Sequence, residues 1–239
     1  MSMIEVQINN EETHEYASGI TAGDILLNVY GKRSGAVAAN IDGKQRDMSF
    51  IVNKNCKIEP ILGDSEEGLY ILRHSCAHLL AQAVVEMFPE AKPTIGPPIE
   101  HGFYYDFHMN PIGDNDLKNI EKRMNQLVRE NITIQREEYD NNELRELFKE
   151  NKFKIEIMDE KVGNEVGSTA YRQGDFVDLC RGPHVPSTSH LRWFKLTSTS
   201  QAYWRADRNR EPLTRIYGMC YASKAVSYTH LTLPTILLV

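Results

Sequence analysis

The stretch GDSEEGLYILRHSCAHLLAQAVVEMFP, residues 63–89, decides how this chain is read. Gly63 and Asp64 break the chain after a short apolar run, and Asp64 with Glu67 makes a capping-box-like start for a helix. Leu69, Leu72, Cys76, Leu79, Leu80, Ala83 and Met87 then recur at helical spacing along one face, and Pro89 stops the run. His74 and His78 are four residues apart on that helix, so both imidazoles stack on one side, opposite the leucines and beside Ala77, Ala81 and Val85. The glutamate of a metalloprotease H-E-x-x-H is missing, because Ser75 and Cys76 occupy those places. A histidine pair alone is as compatible with packing as with chemistry.

Upstream of the break, Ile4, Val6 and Ile8 alternate with polar residues as in a half-buried strand, and Asn9-Asn10 supplies a turn. A short helix is expected after Thr21, carrying Ile25, Leu26 and Val29. Val37-Ala38-Ala39 leads to the Asp42-Gly43 turn signal, and Cys56–Ile61 reads as a closing strand. Strands around one helix predict a small β-grasp, ubiquitin-like domain over residues 1–62.

Downstream, a loop rich in proline and glycine runs from Pro93 to Gly102 and enters Phe103-Tyr104-Tyr105-Asp106-Phe107. Leu117, Ile120, Met124, Leu127 and Val128 mark a second amphipathic helix, and Leu144, Leu147 and Phe148 a shorter one. Strands are expected at Phe153–Met158, Phe176–Cys180, Trp193–Thr197, Ala202–Arg205 and Leu213–Gly218. Helices precede strands here instead of alternating with them. Residues 63–225 are therefore predicted to form a larger α+β domain with a mostly antiparallel sheet.

Composition narrows the setting. Hydrophobic residues make up 41% and charged residues 25%, as in ordinary globular proteins. No apolar run reaches the ~20 residues of a membrane span, and the N-terminus lacks a signal peptide's basic and apolar regions. With no such span, no membrane partner is expected; Cys56, Cys76, Cys180 and Cys220 are irregularly spaced and form no secreted disulfide framework, which points to a reducing cytoplasm. A net charge of -6 means that any nucleic-acid contact must come from a local basic patch.

Three further groups carry candidate chemistry. Asp178-Leu179-Cys180-Arg181-Gly182-Pro183-His184 ends a strand in a Gly-Pro turn that can return His184 to the Cys180 thiol. With HxxxH, that CxxxH offers four soft or borderline donors suited to zinc, and equally to a free core cysteine beside a surface histidine. Lys154 lies between Phe153 and Ile155, on the opposite face of the expected strand, and Tyr105 lies beside Phe103. From Arg192 onward Lys195, Tyr203, Trp204, Arg205, Arg208, Arg210 and Arg215 outnumber Asp207 and Glu211, a pattern for phosphate contact and base stacking or for a solvated hairpin. Finally VSYTHLTLPT, residues 226–235, resembles a translated transposon-end adapter, so residues 226–239 are expected to be a non-native tail.

Taken together, RHSCAHLLAQAV, IGPPIEHGFYYDF, KIEIMDE, FVDLCRGPHVP, and FKL through AYWRAD to RIYG resemble the N-terminal portion of bacterial-type threonyl-tRNA synthetases. Residues 1–62 resemble the TGS module shared by those synthetases, certain GTPases and stringent-response enzymes. Residues 63–225 resemble an editing domain shared with alanyl-tRNA synthetases and free-standing editing proteins. The resemblance implies hydrolysis of mischarged Ser-tRNA(Thr), without the aminoacylation core. Lys154 and His74 would position or activate water, with Lys154 acting as a neutral base or as a cationic oxyanion donor. His78, Asp178, Cys180 and His184 would shape the pocket and hold the substrate, and Tyr105 would meet the terminal adenosine; from the basic stretch, Arg205 and Arg208 are expected to contact tRNA. It further implies no cofactor for editing, with ATP and zinc belonging to the missing core, tRNA(Thr) as partner through its aminoacylated 3' end, and a homodimer only for the full-length enzyme. Zinc in the HxxxH/CxxxH frame would mark the alternative, an alanyl-type deacylase of Ser-tRNA(Ala), and a non-catalytic RNA-binding module is the other.

Overall fold

The computed structural model describes residues 2–9, 12–31, 34–161 and 168–223, so the adapter-like tail, residues 226–239, lies outside the described residues. In the first part of the chain the elements are β1 (Met3–Ile8), β2 (Glu12–Ala17), β3 (Ile20–Thr21), α1 (Ala22–Tyr30), β4 (Ala36–Ile41), β5 (Lys44–Arg46), β6 (Ile51–Val52) and β7 (Cys56–Leu62). A five-stranded sheet of order β2-β1-β7-β4-β5 carries the parallel pair β1–β7 among antiparallel neighbours. The alternation of Ile4, Val6 and Ile8 is what buries them, since successive side chains leave a strand on opposite faces. They pack with Ile25 and Leu26 of α1, whose N-terminus is capped by the Thr21 side chain accepting from the Asp24 N–H. Asp42 and Gly43 both take positive φ (50° and 77°), the two-residue turn that joins β4 to β5.

The rest of the chain contains α2 (Glu66–Met87), β8 (Lys92–Pro93), β9 (Pro98–Ile99), β10 (Gly102–His108), α3 (Asp114–Glu130), β11 (Ile134–Tyr139), α4 (Asn141–Leu147) and α5 (Lys152–Lys161). It continues with β12 (Ser168–Gln173), β13 (Phe176–Leu179), β14 (Phe194–Tyr203) and β15 (Pro212–Cys220). One antiparallel sheet runs β14-β15-β10-β8 with β9 on β10, and a second runs β11-β12-β13. The architecture is the α+β class with mostly antiparallel sheets that the order of helices and strands predicts.

α2 is the central post. Apart from the half-exposed Arg73 and His74, it is buried from Ile71 to Val84, not along one leucine face as the periodicity suggests. The reason is that three layers meet on it: β4 and β7 of the first sheet, β10 and β15 of the second, and α3. Val37, Ala38 and Ile61 from the first sheet join Leu72, Leu80 and Phe103 in one continuous core. The cap is also one residue later than expected: Ser65, not Asp64, accepts from the Gly68 N–H at 3.0 Å. A Cβ at Gly68 would lie 1.8 Å from the Leu62 carbonyl oxygen, so this tight first turn requires glycine.

Two sequence expectations are corrected. Phe153–Met158 is not a strand but the body of α5. Phe153, Ile155 and Ile157 alternate, yet Phe153 with Ile157 and Lys154 with Met158 are also four apart, and the helix wins because two cores claim it. Phe153 and Ile157 pack with Trp204 and Leu213, while Met158 packs with Leu144 and Ala170. Asn151 starts the helix, its side-chain oxygen accepting from the Phe153 N–H at 3.2 Å. The two expected strands Trp193–Thr197 and Ala202–Arg205 are one strand, β14, with an irregularity between Leu196 and Ser198. Its polar middle, Thr197 to Gln201, is exposed, so no hydrophobic pattern announces it.

Candidate active site

His74 and His78 leave α2 one turn apart, with ring centroids separated by 5.2 Å. From the other side, the chain leaves β13 at Leu179 and reverses through Gly182 (φ 70°) and the cis Gly182–Pro183 bond. A Cβ at Gly182 would lie 1.8 Å from the Tyr171 hydroxyl, so glycine is required there twice over. This reversal brings His184 against both other imidazoles, with centroids 4.3 Å from each. Cys180 Sγ lies 3.3 Å from His74 Nε2 and 3.2 Å from His184 Nε2, and it accepts the Gly182 N–H at 3.3 Å. Ser75 holds the back of the cluster: its Oγ accepts the Val185 N–H at 3.1 Å and meets His184 Nδ1 at 3.0 Å.

Beside the imidazoles stands a buried polar triad. Lys154 Nζ pairs with Asp178 Oδ1 and donates to the Tyr105 hydroxyl at 3.1 Å, while that hydroxyl donates to Asp178 Oδ2 at 2.5 Å. Asp178 also accepts the N–H of Leu179 at 2.8 Å, and His78 Nε2 approaches its other oxygen to 3.8 Å. The side chains of Lys154 and Asp178 are only 3% and 2% exposed, so each charge depends on the other for compensation.

Burial sets the protonation states. Loss of water, reinforced by His78, lowers His74 to about 3, and loss of water lowers His78 to about 4 despite Asp178. His184 falls well below the usual imidazole value for the same reason, with the other two histidines adding to it. Burial raises the Cys180 thiol to about 12. It also pushes the Tyr105 phenol well up, with Asp178 adding to the shift. Burial raises the Asp178 carboxyl too, but Lys154 and His78 outweigh it and leave the group below the usual carboxylate range. At neutral pH the site is three neutral imidazoles, a neutral thiol and an Asp178 carboxylate matched to Lys154.

These groups border a cleft of about 480 Å³ whose wall includes His74, His78, Tyr105, Lys154, Asp178 and Cys180. His184 is absent from that wall and 1% exposed, supporting the cluster from behind. A larger cleft of about 650 Å³ opens near Phe148 and Phe176, but it has no histidine or cysteine and so less capacity for chemistry. Thr94, Gly96 and Arg181 line the smaller cleft and were not singled out by spacing; a Cβ on Gly96 would strike the Tyr105 ring at 2.1 Å. Arg181 stands exposed at its edge, inside the very motif that drew attention to Cys180.

The basic stretch is arranged differently from the cluster. Neither Arg205 nor Arg208 lines the cleft. Arg205 pairs with Glu160 and lies over Trp204, with its guanidinium 4.6 Å from the ring centroid. Arg210 makes two bonds to Glu156 (2.7 and 2.6 Å), Lys195 pairs with Glu121, and Arg215 pairs with Asp106. Arg208 is exposed. Trp204 donates to Glu156 at 2.9 Å and packs edge-on against Phe153, so this segment braces the helix that carries Lys154.

The chain is similar to proteins of known name. Residues 169–217 match the family described as the threonyl and alanyl tRNA synthetase second additional domain. The chain is 43% identical over 225 residues to the threonine--tRNA ligase of Rubrobacter xylanophilus, covering 93% of this chain and 35% of that protein. It is 44% identical over 229 residues to the enzyme of Pelobacter propionicus, covering 94% and 36%. With the enzyme of Thermoplasma volcanium it shares 48% over 185 residues, covering 77% and 28%. No helix among the described residues is long and apolar enough to cross a membrane. The chain spans about a third of the length of the curated relatives it matches, and it belongs to the threonine--tRNA ligase family.

Proposed function

We propose that residues 63–225 form an editing domain that hydrolyses mischarged Ser-tRNA(Thr), and that residues 1–62 are a TGS-type module attached to it. The observation that carries this reading is the buried Lys154–Asp178–Tyr105 triad facing the same small cleft as His74, His78 and Cys180. Serine lacks one methyl of threonine, and a hydrophobic difference of that size gives only ~1–3 kcal/mol of discrimination in a synthetic site. A second, hydrolytic site that excludes the larger amino acid makes up the shortfall. The reading has the reaction take place in the cytoplasm.

In the proposed reaction water attacks the ester carbonyl, the bond to the ribose oxygen breaks, and that oxygen leaves with a proton. Lys154, as the ammonium paired with Asp178, donates to the developing oxyanion. The pairing favours this role over that of a neutral base. His74 and His78, neutral above about 3 and about 4, accept hydrogen bonds from the attacking water and orient it. Tyr105, held by Asp178, supports the wall against which the terminal adenosine lies. Cys180 and His184 set the pocket's depth. Arg208 is the proposed backbone contact for tRNA(Thr), with Arg205 divided between that task and Glu160.

The donor set also fits zinc: ligand atoms of His74, His78, Cys180 and His184 lie within 4.8 Å of one another, and three imidazoles with a thiol suit a tetrahedral ion. Bound there, zinc would supply a polarising charge for water. We propose that the reaction needs no metal, because Lys154 already offers an oxyanion donor and His74 and His78 offer acceptors for water along the same cleft. Deacylation of Ser-tRNA(Thr), Thr-tRNA(Thr) and Ser-tRNA(Ala) by this chain tests the function. Hydrolysis of the first alone is the expected result, whereas a preference for the third would move the site to the alanyl type.

A further inference from the structure

The first domain reaches the proposed site through the side chain of Asp47. Asp47 lies directly after β5, and both of its carboxylate oxygens are bonded to residues of the second part of the chain. Its Oδ1 accepts the backbone N–H of His184 at 2.9 Å, and its Oδ2 accepts the Tyr171 hydroxyl at 2.8 Å. Both partners belong to the machinery around Cys180. Tyr171 packs its ring edge-on against His184, with centroids 4.5 Å apart, and its hydroxyl fills the space left by the missing Cβ of Gly182. A single carboxylate therefore fixes the end of the 180–184 turn directly and its middle through Tyr171. His184, so held, is the surface on which the His74 and His78 rings rest.

The contact is more specific than simple domain adhesion needs. The apolar seam between the domains is already supplied by Val37, Ala38 and Ile61 against α2. Burying a carboxylate in addition costs free energy: loss of water raises the Asp47 carboxyl above the usual carboxylate range, and the two hydrogen bonds and the nearby charge of Arg136 offset that cost only in part. We infer that Asp47 is a positioning residue for the hydrolytic site, so that the first domain is a structural part of the editing pocket. This rests on the proposed deacylase reading.

The test uses the whole chain with Asp47→Ala, Asp47→Asn and Tyr171→Phe, and Lys44→Ala on the exposed face of β5 as control. Asp47→Ala should lower the single-turnover hydrolysis of Ser-tRNA(Thr) about thirtyfold, the equivalent of its two lost hydrogen bonds, without changing tRNA affinity. Asp47→Asn keeps an oxygen for the His184 N–H and should recover most of the rate. Tyr171→Phe removes one hydroxyl only and should lose an intermediate amount, which keeps the idea testable if Asp47→Ala does not fold. The imidazole resonances of His74, His78 and His184 should shift in Asp47→Ala and stay in place in Lys44→Ala. A parent that hydrolyses the ester while folded Asp47→Ala matches its rate would overturn the inference alone. A parent without hydrolysis would remove the deacylase reading, and the imidazole resonances would then decide whether Asp47 positions the cluster: unshifted resonances refute it.

Discussion

Lys154, in the first turn of α5, closes an ion pair with Asp178 at the end of β13, and both side chains are almost completely withdrawn from water. Such a pair is fragile to the loss of one member, because the survivor is left as an uncompensated buried charge.

Lys154→Ala should therefore fail twice. Removing an oxyanion donor is expected to slow single-turnover hydrolysis by about 10²–10³-fold, and orphaning Asp178 should cost about 3–5 kcal/mol of stability. The double variant Lys154→Met with Asp178→Asn should regain stability in urea unfolding but not activity. Recovery of hydrolysis in the double variant would show that the charge pair is structural only.

Discrimination should be modest and should depend on the cleft. Overpacking by one methyl costs ~1–3 kcal/mol, which gives Ser-tRNA(Thr) roughly a 5- to 150-fold advantage over Thr-tRNA(Thr). The chain should also show no threonine-dependent ATP–pyrophosphate exchange. Equal deacylation of both esters removes the proofreading claim, and measurable exchange would mean that an activating site is present after all.

Acid should destabilise the fold through the imidazoles. Their folded-state values lie below the unfolded value of about 6.5, at about 3 for His74 and about 4 for His78. The unfolded chain thus takes up protons first. Their contribution is fully present above pH ~6.5 and is lost as the pH falls to about 4 for His78 and about 3 for His74, with a slope up to about 1.4 kcal/mol per pH unit for each histidine. His78→Asn should remove one share of that slope between pH 5 and 6. Identical slopes in parent and variant would show that His78 does not titrate as its burial demands.

Zinc should inhibit. Coordination by His74, His78, Cys180 and His184 would occupy the donors that face or support the cleft. Chelators should leave the deacylation rate unchanged, and added zinc should lower it. Activity lost to a chelator and restored by zinc would assign the site to metal-dependent chemistry.

The sequence made the strands and helices with one wet face legible. Ile4, Val6 and Ile8 lie as their alternation predicts, and so does the helix bearing Ile120, Met124 and Leu127. His74 with His78, and Cys180 with His184, are paired by local spacing within a helix and across a turn, whereas the meeting of the two pairs, 106 residues apart at His74 and Cys180, is tertiary. What failed was decided at a distance. Lys154 alternates with apolar neighbours like a strand residue, and only the cores around Trp204 and Leu144 make it helical. Arg205 reads as a free cation until Glu160, far away in sequence, is found beside it. Asp47 has no motif at all, since its partners are 124 and 137 residues away.

The burial of the middle of α2 between two sheets and α3 has a consequence for kinetics. A helix gripped by two sheets and another helix cannot roll or slide to accommodate a guest, so the spacing of its two histidines acts as a fixed calliper. Selection by a calliper happens on entry and needs no closing motion. A non-hydrolysable seryl-adenosine analogue should then bind in one exponential phase whose rate rises linearly with concentration, with no slower step behind it.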